Sequence, residues 1–156
     1  MSEEHRTRVL CLGNDLVADD AVGYEAADEL RRRLPGVDVV ESSTSGLYLL
    51  DEVVGVDRLV VVDAVATGRA DPGTVHVFRE GDLEVVHGGS QHYVGLFETL
   101  ELVRALGLEG PDEVVLVCVE VADTLTIGGE ITPPVRAALP RLVDVAAAEA
   151  GASIRG

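Results

Sequence analysis

Val9 to Gly23 reads V-L-C-L-G-N-D-L-V-A-D-D-A-V-G, and the fold follows from how this stretch changes character. Val9 to Leu12 is an unbroken apolar run, the pattern of a buried strand. Gly13-Asn14 ends it, because both residue types tolerate backbone angles that others avoid. From Ala21 onward the apolar spacing becomes helical, and Asp19-Asp20 stands at the junction. This is strand, loop and helix, with two carboxylates at the end of the loop. One Asp can cap a helix by accepting a hydrogen bond from a free N–H. The second has no such reason to be there, since adjacent carboxylates repel unless donors or a cation lie close.

The rest of the chain extends this alternation. A helix over Ala21 to Leu34 stops at Pro35-Gly36, and Val37 to Glu41 makes a second strand. A hydroxyl-rich turn, Ser42 to Gly46, precedes a helix over Leu47 to Val54. Leu59 to Val62 is wholly aliphatic, as in a parallel strand buried on both faces, and ends at Asp63. Asp71-Pro72-Gly73 is a turn, and Thr74 to Phe78 a fourth strand. The link from Asp63 to Thr74 is too short for a helical crossover, so the fourth strand should run antiparallel to the third. Glu80 to Gln91 is irregular, Tyr93 to Leu106 is helical and closes at Gly107, and Glu113 to Val119 is a fifth strand. After a second irregular segment, Ala122 to Thr132, a helix covers Pro133 to Ala150, with Pro134 near its start. The expected fold class is α/β: one domain over residues 1–156, a three-layer α/β/α sandwich whose five-stranded sheet is mostly parallel with one strand reversed.

Composition bounds the function. The chain has 156 residues, 47% of them hydrophobic, enough for one sizeable core. Its formal net charge is -16 and all of its basic residues are Arg, which argues against nucleic acid or an anionic membrane as partner. Cys11 and Cys118 fit no metal or redox spacing and sit in strand patterns, as buried reduced thiols do. With no leader-like or membrane-length apolar segment, the expected location is the cytoplasm.

Topology then predicts which residues meet. Open α/β sheets bind ligands beyond the carboxyl ends of their parallel strands. Asp19 and Asp20 follow the first strand, and Asp63 ends the third. The helix beginning near Tyr93 must run back toward the start of the fifth strand, so His92 belongs to the same edge. Carboxylates and an imidazole together suit a divalent metal such as zinc or nickel. Singly, each residue has a plainer reading: a strand-terminating Asp63, a helix-start His92, a structural or exposed His76, a solvated His87. Asn14 and Thr44 read as turn-bonding residues that also suit orienting a substrate chain. Gly13, Gly23, Gly46 and Gly95 read as close-packing or backbone-geometry positions.

The opening motif resembles that of the hydrogenase maturation endopeptidases, which usually read L-G-N-x-L-x-x-D-[DE]-G-x-G. Further matches follow in the family's order: Thr44-Ser45-Gly46 with Leu49-Leu50, Val61-Val62-Asp63-Ala64, His92-Tyr93-Val94-Gly95-Leu96 and Ile131-Thr132-Pro133. Ala21 stands where the family often has Gly, and Asp20 where it often has Glu. The resemblance implies an α/β/α endopeptidase that removes the C-terminal peptide of a nickel–iron hydrogenase large-subunit precursor after nickel insertion. It implies Asp20, Asp63 and His92 as metal contacts, with nickel presented by the precursor. Asp19 is the nearest free carboxylate to act as base. A pepsin-like aspartate pair is disfavoured, since that class's motifs are missing.

Two other classes compete: a noncatalytic metal-binding assembly factor, and a Rossmann-like nucleotide-binding domain with Glu41 in the ribose position. The second lacks G-x-G-x-x-G, and its loop carboxylates would repel a pyrophosphate. Titration calorimetry with NAD, NADP and FAD is therefore expected to show no micromolar binding; such binding would restore the nucleotide reading.

Overall fold

The computed structural model describes residues 6–13, 21–43, 46–80, 91–121 and 130–152, without the side chains of 46, 47, 91–95 and 152. Its elements are β1 (Thr7–Leu12), α1 (Val22–Arg33), β2 (Asp38–Ser42), a 3-10 turn (Gly46–Leu49) leading into α2 (Leu50–Val53), β3 (Arg58–Val65), β4 (Val75–Arg79), α3 (Gln91–Ala105), β5 (Glu113–Glu120) and α4 (Pro133–Ala152). The sheet order is β2-β1-β3-β5-β4. β1, β2, β3 and β5 are mutually parallel, and β4 runs antiparallel to β5. Registers such as Cys11↔Val62 and Val62↔Val117 align the aliphatic runs at the middle of the sheet.

Alternation along the strands divides the core into two layers. Val9, Cys11, Val60, Val62, Val115 and Val117 pack against α1 and α4. Leu10, Leu12, Leu59, Val61, Leu116 and Cys118 pack against α2 and α3. Every residue of β3 is buried, as a central strand covered on both faces requires. The expected α/β/α sandwich with one reversed strand is the fold observed.

The structure departs from the sequence reading in several places. β3 continues past Asp63 to Val65, because Ala64 and Val65 still have β5 partners in Val119 and Glu120. β4 has the reversed direction expected but is not a neighbour of β3, both of whose edges are occupied by parallel strands; it pairs with β5 instead. The helix expected over Leu47 to Val54 is shorter, a 3-10 turn followed by one turn of α2.

The amino edge of the sheet is fastened by charge. Arg58 opens β3 at 5% exposure, and its guanidinium donates to the Glu149 carbonyl at 2.9 Å. It also pairs with the Glu149 carboxylate at 2.9 Å and with Glu113. Arg79 reaches the same Glu149 carboxylate at 3.1 Å, so β3, β4, β5 and α4 converge on one ion-pair network. Removing the buried Arg58 side chain takes away a carbonyl bond and two carboxylate pairs at a site closed to water, which costs far more than losing a surface pair. Arg58→Ala is expected to lower unfolding free energy by about 3 kcal/mol. Urea titration checks this, with exposed Arg32→Ala as a near-neutral comparison.

Candidate active site

The switch point of the topology lies between β1 and β3, where the chain leaves to opposite sides of the sheet. There the ends of the 14–20 loop are fixed. Gly13 donates from its backbone to Ser42 O at 3.1 Å, and the Tyr24 hydroxyl donates to Gly13 O at 3.0 Å. Gly23 presses its α-carbon against the Leu12 carbonyl so closely that a β-carbon would overlap the oxygen. The close-packing reading of Gly23 is thus correct. The N-cap position of α1 is Ala21, which has no side-chain acceptor to serve as the cap. Asp19, Asp20 and Asn14 themselves lie outside the described residues, as do Thr44 and His87.

Asp63 lies within β3, opposite Cys118 of β5, and is 1% exposed. Its Oδ1 accepts the Ala64 backbone N–H at 2.7 Å. Leu59, Val61 and Val65 face the α2/α3 layer, so strand alternation puts Asp63 on that face too. His92 belongs to the first turn of α3, and its side chain lies outside the described residues. The course of α3 is nevertheless set by its other end. Beyond that end, Glu109 O accepts from Gly55 N and Asp112 N donates to Asp57 O, both at 2.9 Å, at the amino edge. A helix of 15 residues rises about 22 Å, so α3 begins at the carboxyl edge, on the Asp63 side of the sheet. Among the described residues no three His, Cys, Asp or Glu side chains form a metal cage.

The sequence reading missed a second buried carboxylate on this edge. It ended the fifth strand at Val119, whereas β5 runs to Glu120, which is 2% exposed. Glu120 accepts from Thr67 N at 2.8 Å, Thr67 Oγ1 at 2.5 Å and Gly68 N at 3.2 Å, and bonds His76 Nε2 at 3.1 Å. Burial pushes its pKa up, but the bonds from Thr67, His76 and Gly68 outweigh burial and hold it below the ordinary 4.5. The signal available in sequence was a charged residue closing the run V-V-L-V-C-V-E. His76, stacked on Phe78 with centroids 5.4 Å apart, is structural, one of the two readings given for it.

Other sequence candidates resolve simply. Neither Cys11 nor Cys118 forms a disulfide, and both are fully buried. Burial is the main reason that the Cys11 thiol is pushed up to about 12; Arg31 opposes this, and Glu41 and Asp63 add to it. It is an inert core thiol. Glu41 pairs with Arg31 at 3.1 Å rather than presenting a free acid to a ribose.

Comparison with known proteins now decides the family. The hydrogenase maturation protease family model matches residues 24–149. The chain belongs to that family. Hydrogenase expression/formation protein HupD of Bradyrhizobium diazoefficiens is 33% identical over 151 residues, covering 93% of this chain and 78% of HupD. The hydrogenase 2 maturation protease of Escherichia coli is 32% identical over 149 residues, covering 92% and 90%. The hydrogenase maturating endopeptidase HybD from E. coli superposes with a TM-score of 0.78 at 29% identity, covering 90% of this chain and 88% of HybD. The [NiFe] hydrogenase maturation protease HybD from Thermococcus kodakarensis superposes at 0.77 with 27% identity, covering 93% and 99%. This maturation protease is thus a hydrolase acting on peptide bonds. None of its helices, among the described residues, is long and apolar enough to cross a membrane.

The Glu120 anchor has a pH signature. A carboxylate whose folded pKa is depressed stabilises the fold above its unfolded pKa, and the contribution disappears as pH falls through the folded value. Stability of the wild type is therefore expected to fall as pH drops below about 4.5. Glu120→Gln should lose about 2 kcal/mol at neutral pH, from mismatched donors, and show a shallower acid dependence. Denaturant titrations at neutral and acid pH measure both, and equal acid slopes would show that Glu120 is not the titrating anchor.

Proposed function

We propose that this maturation protease removes the C-terminal peptide from the large-subunit precursor of a nickel–iron hydrogenase, after nickel has been inserted. What carries the reading is a convergence in a chain of this family. Buried Asp63, the anchored ends of the Asp19-Asp20 loop and the start of α3 with His92 belong to one edge of the sheet, at its switch point. In the proposed site Asp20, Asp63 and His92 contact nickel carried in by the precursor. Two carboxylates and an imidazole offer the mixed oxygen and nitrogen donors that nickel accepts. Nickel at the scissile bond supplies Lewis acidity to the carbonyl or to the attacking water.

The residues of this chain do the rest. Asp63, fixed by its strand and by the Ala64 N–H, holds one donor in place before substrate arrives. Asp19 accepts the proton of the attacking water, oxygen bonds to the carbonyl carbon, the C–N bond breaks, and the departing amine takes up a proton. A noncatalytic assembly factor with the same three contacts would bind the precursor and leave it intact, so the test is cleavage.

Asp20→Ala, Asp63→Ala and His92→Ala are each expected to reduce processing of nickel-loaded precursor by at least ~100-fold, and double variants should be no worse than singles. Asp19→Ala should also be severely impaired while remaining folded. His87→Ala should cleave at nearly the wild-type rate. Intact-mass measurement of the precursor over time gives the rates, with circular dichroism confirming each fold. Normal processing by folded Asp63→Ala or His92→Ala would sink the site.

A further inference from the structure

The connection from β3 to β4 crosses the carboxyl edge over the end of β5, and it is tied down along its length. The Glu120 carboxylate holds the amides of Thr67 and Gly68 together with the Thr67 hydroxyl. Thr67 Oγ1 in turn accepts the backbone N–H of Arg69 at 3.1 Å. Gly68 has φ +71, a left-handed turn that glycine adopts without strain. Further along, Gly73 N donates to Glu120 O and Glu120 N donates to Thr74 O, each at 2.8 Å. Gly73 itself lies against the Pro134 carbonyl, where a β-carbon would come within 2.6 Å. A buried charge and a crowded glycine thus hold rigid a turn whose tip is exposed.

At that tip is Arg69. Arg69 is exposed, as are Ala66 and Gly68, so the turn presents its side chain to solvent and not to the core. Among the described residues it has no acidic partner, whereas Arg136 pairs with Glu25, Arg104 with Glu80 at 2.6 Å, and Arg58 and Arg79 are committed at the opposite edge. A formal net charge of -16 repels an anionic peptide over most of the surface. A guanidinium offered from this held turn, on the same edge of the sheet as Asp63, reverses that locally, and its fork suits a carboxylate.

We infer that Arg69, presented by the Glu120-anchored turn, is a substrate-positioning residue that pairs with a carboxylate of the peptide being removed. The inference rests on the proposed cleavage reaction. The carboxylate is either the peptide's C-terminal group or an acidic side chain within it.

Steady-state cleavage of nickel-loaded precursor, followed at about 50 and 300 mM salt, separates this role from a structural one. Arg69→Ala is expected to raise KM ~10-fold at low salt with kcat within about 2-fold, and to flatten the rise of KM with salt seen in the wild type. Arg69→Lys should recover most of the loss, and Arg69→Glu should be worse than alanine. Glu120→Gln should raise KM in the same way and add little to Arg69→Ala, because both act through one turn. Arg141→Ala removes an exposed arginine in α4 and should change nothing. Precursor with an amidated C-terminus, and precursor whose removed peptide has Asn and Gln in place of Asp and Glu, identify the source: the substrate that erases the gap between wild type and Arg69→Ala carries the carboxylate concerned. Unchanged KM in Arg69→Ala at low salt, or a gap that neither substrate erases, overturns the inference while leaving the cleavage reading intact. If the folded wild type cleaves no precursor, the cleavage reading fails and this inference falls with it.

Discussion

At one point of this molecule a helix and a strand touch with no side chain between them. Gly23, in the first turn of α1, lies on the carbonyl of Leu12, the last residue of β1. Everything at the carboxyl edge depends on that contact, because it fixes where the 14–20 loop must begin and end. Tyr24 reinforces it by donating to the next carbonyl, that of Gly13. A larger residue at position 23 would push α1 off the sheet and reopen the switch point between β1 and β3. The two ends of that loop, Gly13 and Ala21, are thereby held on the edge to which Asp63 belongs.

The two edges of the sheet divide the labour of stability and chemistry. At the amino edge, Arg58, Arg79, Glu113 and Glu149 satisfy one another and lock strands to α4. At the carboxyl edge, Asp63 accepts a backbone N–H, and Glu120 is met by a hydroxyl, backbone amides and the His76 imidazole.

Much of this was legible in the chain. The apolar runs Val9–Leu12, Leu59–Val62 and Glu113–Val119 marked the central strands because aliphatic runs of that length suit a strand covered on both faces. The short step from Asp63 to Thr74 gave the reversal of β4, since a parallel return needs more residues. Spacing did not disclose which strand β4 would join; that depends on both edges of β3 being filled, a property of the whole sheet. The opening motif pointed to the family, and the family model bears this out over residues 24–149. Glu120 escaped notice because its partners, Thr67, Gly68 and His76, are each unremarkable in sequence and far from it along the chain. Asp63, by contrast, was marked by its place at the end of the third aliphatic run and by its match to a family motif.

The pairing of α1 with α4 has a bearing on how the molecule comes into being. Arg136 bonds Glu25 and Arg33 bonds Asp144, so the first and last helices lie side by side over one face of the sheet. Val135, Leu142, Val143 and Ala146 of α4 complete a core layer whose other members come from β1, β3, β5 and α1. Closing that layer joins side chains 111 positions apart along the chain, and contacts of such separation are slow to form because the intervening chain must first be brought round. Until they form, Val60, Val62, Val115 and Val117 have only α1 over them, which leaves part of that apolar face open to other chains.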